Sequence, residues 1–161
     1  SGIVGATMHI VTNAAGKITL FFCAGAIYTA LHKTLVSELH GVGRTMPFTF
    51  AAFTIAALSI IGLPPLGGAW SKWFLVLGAL EAGELLAVTV LMLSSLLNIV
   101  YLLQIPLLAF FCEPAAGDEF RGVREAPLPS LLAIGITSLL CLVLFFAAEP
   151  LYQWARLLPP G

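Results

Sequence analysis

The stretch Gly62-Leu63-Pro64-Pro65-Leu66-Gly67-Gly68-Ala69-Trp70-Ser71-Lys72-Trp73 interrupts an apolar run extending from about Phe48 to Leu80. It sets two prolines, three glycines and a lysine inside a segment too long for one straight membrane span. Two helical halves of roughly fourteen and twelve residues cover about 39 Å, against a hydrocarbon core of about 30 Å. The break, carried by Gly62, Pro64, Pro65, Gly67 and Gly68, therefore falls near mid-membrane, with Lys72 about one turn beyond it. Prolines remove backbone donors and glycines permit unusual dihedrals, so carbonyl and N–H groups are freed at that depth. Such groups, and a charge beside them, are tolerated only where protein or a water-filled cavity surrounds them. The combination points to ion movement.

Composition agrees with a membrane setting. Of the 161 residues, 60 % are hydrophobic and 9 % charged, whereas soluble domains carry about 25 % charged residues. The net charge of −1, with no basic patch interleaved with aromatics, excludes nucleic acid as a partner. Cys23, Cys112 and Cys141 are far apart and form no Cys/His cluster, so they read as small apolar residues without a disulfide or metal role. No cofactor is expected, because nothing in the sequence suits flavin, quinone or an iron–sulfur cluster. The chain opens almost directly in an apolar run without an initiator Met. The expectation is one transmembrane domain over residues 1–161, the C-terminal part of a longer subunit.

The fold class is an all-α membrane protein with four transmembrane helices, the second of them broken. The first runs from about Gly5 to Leu31, the broken one from about Phe48 to Leu80, the third from about Leu85 to Phe111 and the fourth from about Leu128 to Ala148. The first and third loops then share one side of the membrane and hold Lys33, Arg44, Arg121 and Arg124, against Arg156 alone on the other. The positive-inside rule makes the richer side cytoplasmic and puts both termini of the segment outside an inner (plasma) membrane. Tyr152 and Trp154, in the tail from Glu149 to Leu158, suit an interfacial anchor.

His9, Asn13 and Lys17 recur at i, i+4, i+8, which puts them along one face of the first helix over about 12 Å. A ladder of groups that give and take protons suits a relay through a hydrated bundle interior. For His9 and Asn13 the competing reading is plain hydrogen bonding to a neighbouring helix. Lys17, near the centre of its span, costs too much there to serve only as glue. Lys72 lies near the N-terminus of the second half of the broken helix, where unpaired N–H groups carry partial positive charge. That field and desolvation both act against the ammonium, and easy proton exchange is expected. The rival reading is a lysine that snorkels to an interface or forms a static ion pair.

Ser94, Asn98 and Tyr101, at i, i+4, i+7 of the third helix, form a polar stripe that could face Lys72 and line its pathway, or simply hydrogen-bond locally. The fourth helix, with only Thr137 and Ser138 as interior polar residues, reads as lipid-facing packing. Glu81, Glu84, His32, His40 and the charges between Glu113 and Pro127 read as solvated.

In chain order, His9-x3-Asn13-x3-Lys17-Ile18-Thr19-Leu20-Phe21-Phe22-x2-Gly25 precedes Gly41-Val42-Gly43-Arg44-Thr45-Met46-Pro47. Ala57-Leu58-Ser59, Gly62-Leu63-Pro64-Pro65 and Ser71-Lys72-Trp73 follow. The series resembles the proton-conducting antiporter-like membrane subunits, a family that spans Mrp-type cation/proton antiporters, respiratory complex I and membrane-bound hydrogenases. The Lys17–Phe22 run and the loop after it look most like the D-type subunit of Mrp cation/proton antiporters. The resemblance covers the first half of the chain densely and the rest by length and placement.

It implies a fourteen-helix parent with two inverted repeats, of which this chain is the eleventh to fourteenth helices. The expected partners are the missing N-terminal part of that parent, other integral membrane subunits, lipid, protons and Na⁺ or K⁺. In this reading Lys72 is the lysine of the second broken helix, and Lys17 with His9 belongs to the central polar axis. Asn13 stands where many relatives have a second histidine. The chain would be a transporter subunit with no catalytic residue of its own. In a redox-driven complex the redox chemistry would lie in partner subunits, and a purely structural membrane subunit is the remaining alternative.

Overall fold

The computed structural model describes residues 2–114 and 124–157, so Arg121 and Leu158 lie outside the described residues. Six helices follow one another: α1 (Gly2–Leu31), α2 (Pro47–Ile61), α3 (Gly68–Glu81), α4 (Leu85–Phe111), α5 (Leu128–Phe146) and α6 (Ala148–Arg156). The α1–α2 connection holds two single-turn 3₁₀ segments, Val36–Glu38 and Val42–Arg44. Helices α1, α4 and α5 are long and apolar enough to cross a membrane, and α2 is a shorter apolar helix. The expected broken span is thus two separate helices, α2 and α3.

Pro47 opens α2 at a position where its missing N–H costs nothing. Gly62 closes it with φ +93°, and the N–H groups of Gly62 and Leu63 both reach the Leu58 carbonyl. Only glycine takes that conformation cheaply. The chain then turns through Leu63–Gly67, pinned by the Gly67 N–H donating to the Cys141 carbonyl of α5 at 3.1 Å. At Gly68 the backbone of α3 presses on the end of α2: a Cβ there would lie 1.7 Å from the Ser59 carbonyl oxygen.

Helix α1 is the hub and packs against α2, α3 and α5. Its buried face is built from small residues, including Gly5, Ala15, Gly16, Cys23 and Ala26, which let the neighbouring backbones approach closely. The main core joins Cys23 and Ile27 to Val42, Met46, Phe50, Leu102 and Ile134. A second cluster, Ala15, Leu66, Cys141 and Leu144, packs around the break. Helix α4 buries only Leu102, Pro106 and Ala109, so most of its surface faces away from the bundle.

Helix α5 ends at Phe146, and α6 starts as a separate helix at Ala148. Helix α5 corrects one expectation: it is not merely outward-facing, because Ile134, Ser138, Cys141 and Leu144 are buried against the bundle. Glu125 departs from the solvated reading as well. Its carboxylate accepts hydrogen bonds from the Phe48 N–H (2.6 Å) and from the Thr49 hydroxyl (2.7 Å). That contact caps the N-terminus of α2, where unpaired N–H groups favour negative charge. Glu81, Glu84 and His32 are exposed as expected, whereas His40 is half-buried.

Candidate functional site

Lys72 is the fifth residue of α3, and its stem runs back along the break. Gly62 makes room for it, since a Cβ at Gly62 would sit 2.8 Å from Lys72 Cδ. The ammonium donates to the carbonyl oxygen of Ile61, the last residue of α2, and to Ser95 Oγ on α4, each at 2.8 Å. A helix leaves its last four carbonyls without intrahelical partners, and its C-terminal end carries partial negative charge. The Lys72 charge therefore answers the carbonyl end of α2. The field of the α3 N-terminus, which acts against the ammonium, is only half of its surroundings.

The residue next to it, Ser71, is fully buried and connects α3 to α1. Its hydroxyl donates to the Gly68 carbonyl at 3.0 Å and accepts from Thr12 Oγ1 at 3.1 Å. His9 Nδ1 lies 3.1 Å from the same oxygen. A hydroxyl has one proton, so when Ser71 donates to Gly68, His9 Nδ1 must be the donor; if Ser71 turns to His9, Nδ1 accepts. The Ser71 hydroxyl is therefore a point where a change at the imidazole reorganises a chain of hydrogen bonds. Thr12 has matching freedom, with the carbonyls of Met8 (3.1 Å) and His9 (3.3 Å) also within reach.

The other sequence-selected residues are distributed unevenly. His9 and Asn13 are half-buried, while Lys17, one further step along the drifting stripe, is exposed on the outer surface of α1 beside Ile18. Ser94 is exposed, and its neighbour Ser95 meets Lys72 instead. Tyr101 donates to Asn98 Oδ1 within α4. Pro64 and Pro65 are exposed at the turn, and Gly67 and Gly68 are buried against α5 and α2. Ser95, Ser71, Thr12 and the Ile61 carbonyl are the participants the sequence reading missed. Thr12 and Ser71 had local signals, Thr12 three residues after His9 on the same helix and Ser71 directly before Lys72.

Fold and site together define a class: a polytopic helical membrane segment whose interrupted helix carries a half-buried lysine across its own break. Residues 1–98 match the family described as NADH:quinone oxidoreductase/Mrp antiporter, TM, and the chain belongs to that family. It is 47 % identical over 103 residues to the N subunit of the NADH-quinone oxidoreductase of Desulforudis audaxviator, covering 64 % of this chain and 21 % of that protein. It is 31 % identical over 153 residues to the D subunit of the Na(+)/H(+) antiporter of Alkalihalophilus pseudofirmus, covering 95 % of this chain and 31 % of the relative.

Two solved structures share the fold. The Mrp complex from Dietzia sp. DQ12-45-1b superposes with a TM-score of 0.84 at 22 % identity, over 95 % of this chain and 36 % of that one. The membrane-bound sulfane sulfur reductase, an archaeal respiratory membrane complex, gives 0.86 at 26 % identity, over 98 % and 26 %. The chain thus spans between about a fifth and a third of the length of these two curated relatives.

Proposed function

We propose that this chain is part of a proton-translocating, antiporter-like membrane subunit that works in a multisubunit complex. In this reading the membrane is crossed four times, by α1, by α2 with α3, by α4 and by α5. The break lies near mid-membrane, and the α1–α2 and α4–α5 connections face the cytoplasm of an inner (plasma) membrane. Protons, and Na⁺ or K⁺, are the transported species; the remaining parent chain, further membrane subunits and lipid are the partners.

The contact of Lys72 with Ile61 across the break carries the proposal. A protonated Lys72 holds the carbonyl end of α2 and Ser95 at once. A neutral one gives up a charge-assisted hydrogen bond, so proton release is tied to the geometry of the break. Ser71, adjacent in sequence, joins that event to His9 on α1. Beyond His9 the stripe passes Asn13 to Lys17, whose ammonium at the middle of α1 calls for a protein-lined or hydrated neighbour in the parent subunit. Ser95, Asn98 and Tyr101 then line the α4 side of the path. A proton or cation moving in the adjoining repeat acts on each lysine electrostatically in turn.

The test uses everted vesicles carrying the intact parent complex, with a pH-gradient dye followed while Na⁺, K⁺ or Li⁺ is added. Cation-dependent dequenching that disappears in Lys72→Ala supports antiport through this site. Unchanged transport in both Lys72→Ala and Lys17→Ala overturns it. One observation favours a second reading, a membrane-arm subunit of a redox-driven complex: the 47 % identity to a component of an NADH-quinone oxidoreductase. Co-purification with iron–sulfur subunits, and no cation response in the wild type, would decide for that reading.

A further inference from the structure

Next to Ser71 on α3, Trp70 and Phe74 lead into a cleft of about 330 Å³ that opens between α3, α5 and α6. Its walls are aromatic. Trp70 and Phe145 face each other at 5.8 Å between ring centroids, Phe74 and Tyr152 stack at 5.0 Å, and Phe146 meets Phe145 edge-on at 5.4 Å. The charged side chain in its lining is Glu149, at the rim, whose Oε1 accepts from Gln153 Nε2 at 3.0 Å. Arg156 follows seven residues later on the same face of α6, about 10.5 Å along the axis. Its guanidinium lies 5.6 Å from the centroid of the Tyr152 ring.

Aromatic faces carry negative potential and attract cations, and a carboxylate at the rim does the same with hydrogen-bonding direction. A guanidinium beyond them suits a phosphate. Below the cleft, Leu132, Ile136, Leu139, Val143 and Phe146 recur at helical spacing and are all exposed, forming an apolar track along the length of α5. Helix α6 itself begins two residues after α5 ends and sets Tyr152 and Trp154 between Glu149 in its first turn and Arg156 in its last, as suits a surface-lying helix.

We propose that this cleft binds the zwitterionic headgroup of an ethanolamine phospholipid. The ammonium lies against Trp70 and the Glu149 carboxylate, the phosphate against Arg156, and an acyl chain follows the α5 track. The track decides for a lipid over a soluble amine, because a water-borne ligand has no use for an exposed apolar helix face running about 21 Å from its site. The pairing of opposite charges decides for a zwitterion over an anionic headgroup.

The intact complex containing this chain, delipidated in detergent, would be examined by native mass spectrometry with dioleoyl-phosphatidylethanolamine, -phosphatidylcholine and -phosphatidylglycerol. Phosphatidylethanolamine is expected to be retained about tenfold over phosphatidylglycerol, the scale of one charge-assisted hydrogen bond. Phosphatidylcholine, whose trimethylammonium donates no hydrogen bond to Glu149, is expected to be retained more weakly than phosphatidylethanolamine. Glu149→Gln, an exposed substitution that leaves the fold intact, should erase most of the preference, and Arg156→Gln should weaken retention of both zwitterionic lipids. Equal retention of all three lipids, a preference for phosphatidylglycerol, no lipid retained by the wild type, or an unchanged preference in Glu149→Gln would each overturn the proposal.

Discussion

The ammonium of Lys72 and the carbonyl of Ile61 meet at 2.8 Å across the gap between α3 and α2. A side chain in the second half of the interrupted helix thereby closes the open end of the first. With Glu125 on the N-terminal N–H groups of α2, that helix is held by a carboxylate at its positive end and an ammonium at its negative end. Both charges come from other elements, so α2 is positioned electrostatically as well as by packing.

Lys72→Ala and Lys72→Arg should separate charge from proton exchange. Alanine removes the partner of the Ile61 carbonyl, at a cost of about 1–3 kcal/mol, and should abolish transport. Arginine keeps a permanent positive charge that does not deprotonate in proteins, so the complex should assemble normally yet still fail to transport. Dye-reported transport and the yield of assembled complex check the two arms. Near-normal transport in Lys72→Arg would remove proton exchange at this residue from the mechanism.

Ser95→Ala should reduce transport, whereas Ser94→Ala should leave it unchanged. The two serines are adjacent, but successive helical residues point about 100° apart, and it is Ser95 that reaches Lys72. Equal effects of the two variants would mean that the Lys72–Ser95 contact does not matter in the working protein.

That pair also shows how far the sequence could lead. Pro64, Pro65 and the flanking glycines announced an interruption locally, because their backbone chemistry allows little else. The long apolar runs of α1, α4 and α5 likewise set their own limits to within a few residues. The choice between Ser94 and Ser95 depends on the rotation of α4 about its axis, which its near-uniform apolarity leaves undetermined. Ser71 becomes a partner of His9 across 62 positions, and Glu125 of Thr49 across 76. No spacing rule connects residues so far apart. The stripe from His9 to Lys17 was visible as a pattern. Its drift from half-buried to exposed followed only once the faces of α1 touching α2, α3 and α5 were known.

Gly68→Ala is expected to prevent assembly. The added methyl would fall 1.7 Å from the Ser59 carbonyl oxygen, a backbone atom that cannot move without parting α2 from α3. Overpacking against backbone belongs to the most damaging class of substitution, about 4 kcal/mol or more. Gly62→Ala should also destabilise, by about 1–2 kcal/mol for the left-handed conformation alone, and should push the Lys72 stem aside. The yield and melting temperature of the purified complex measure both. A Gly68→Ala complex as stable as wild type would contradict the close approach at the break.

Glu125→Ala should lower stability by about 1–2 kcal/mol, the usual cost of an N-terminal cap, and Glu125→Gln by less. The glutamine amide oxygen still accepts from one N–H but lacks the charge that complements the helix end. Thermal denaturation of the assembled complex gives the order. Identical melting temperatures for wild type and Glu125→Ala would show that the carboxylate is not holding α2.

Ser71→Ala tests whether the hydroxyl between α3 and α1 transmits anything. Thr12 retains the carbonyls of Met8 and His9, and Lys72 retains Ile61 and Ser95, so the structural cost should stay near about 1 kcal/mol. Transport should fall much further, by about tenfold or more, because His9 loses its hydrogen-bonded link to α3. A double-mutant cycle makes the inference specific. If Ser71 and His9 act as one unit, His9→Ala should reduce transport by a similar factor, and the double variant should be hardly worse than either single one. Losses that multiply in the double variant would mean that the two residues act independently, and that protons reach Lys72 by a route that does not run through Ser71.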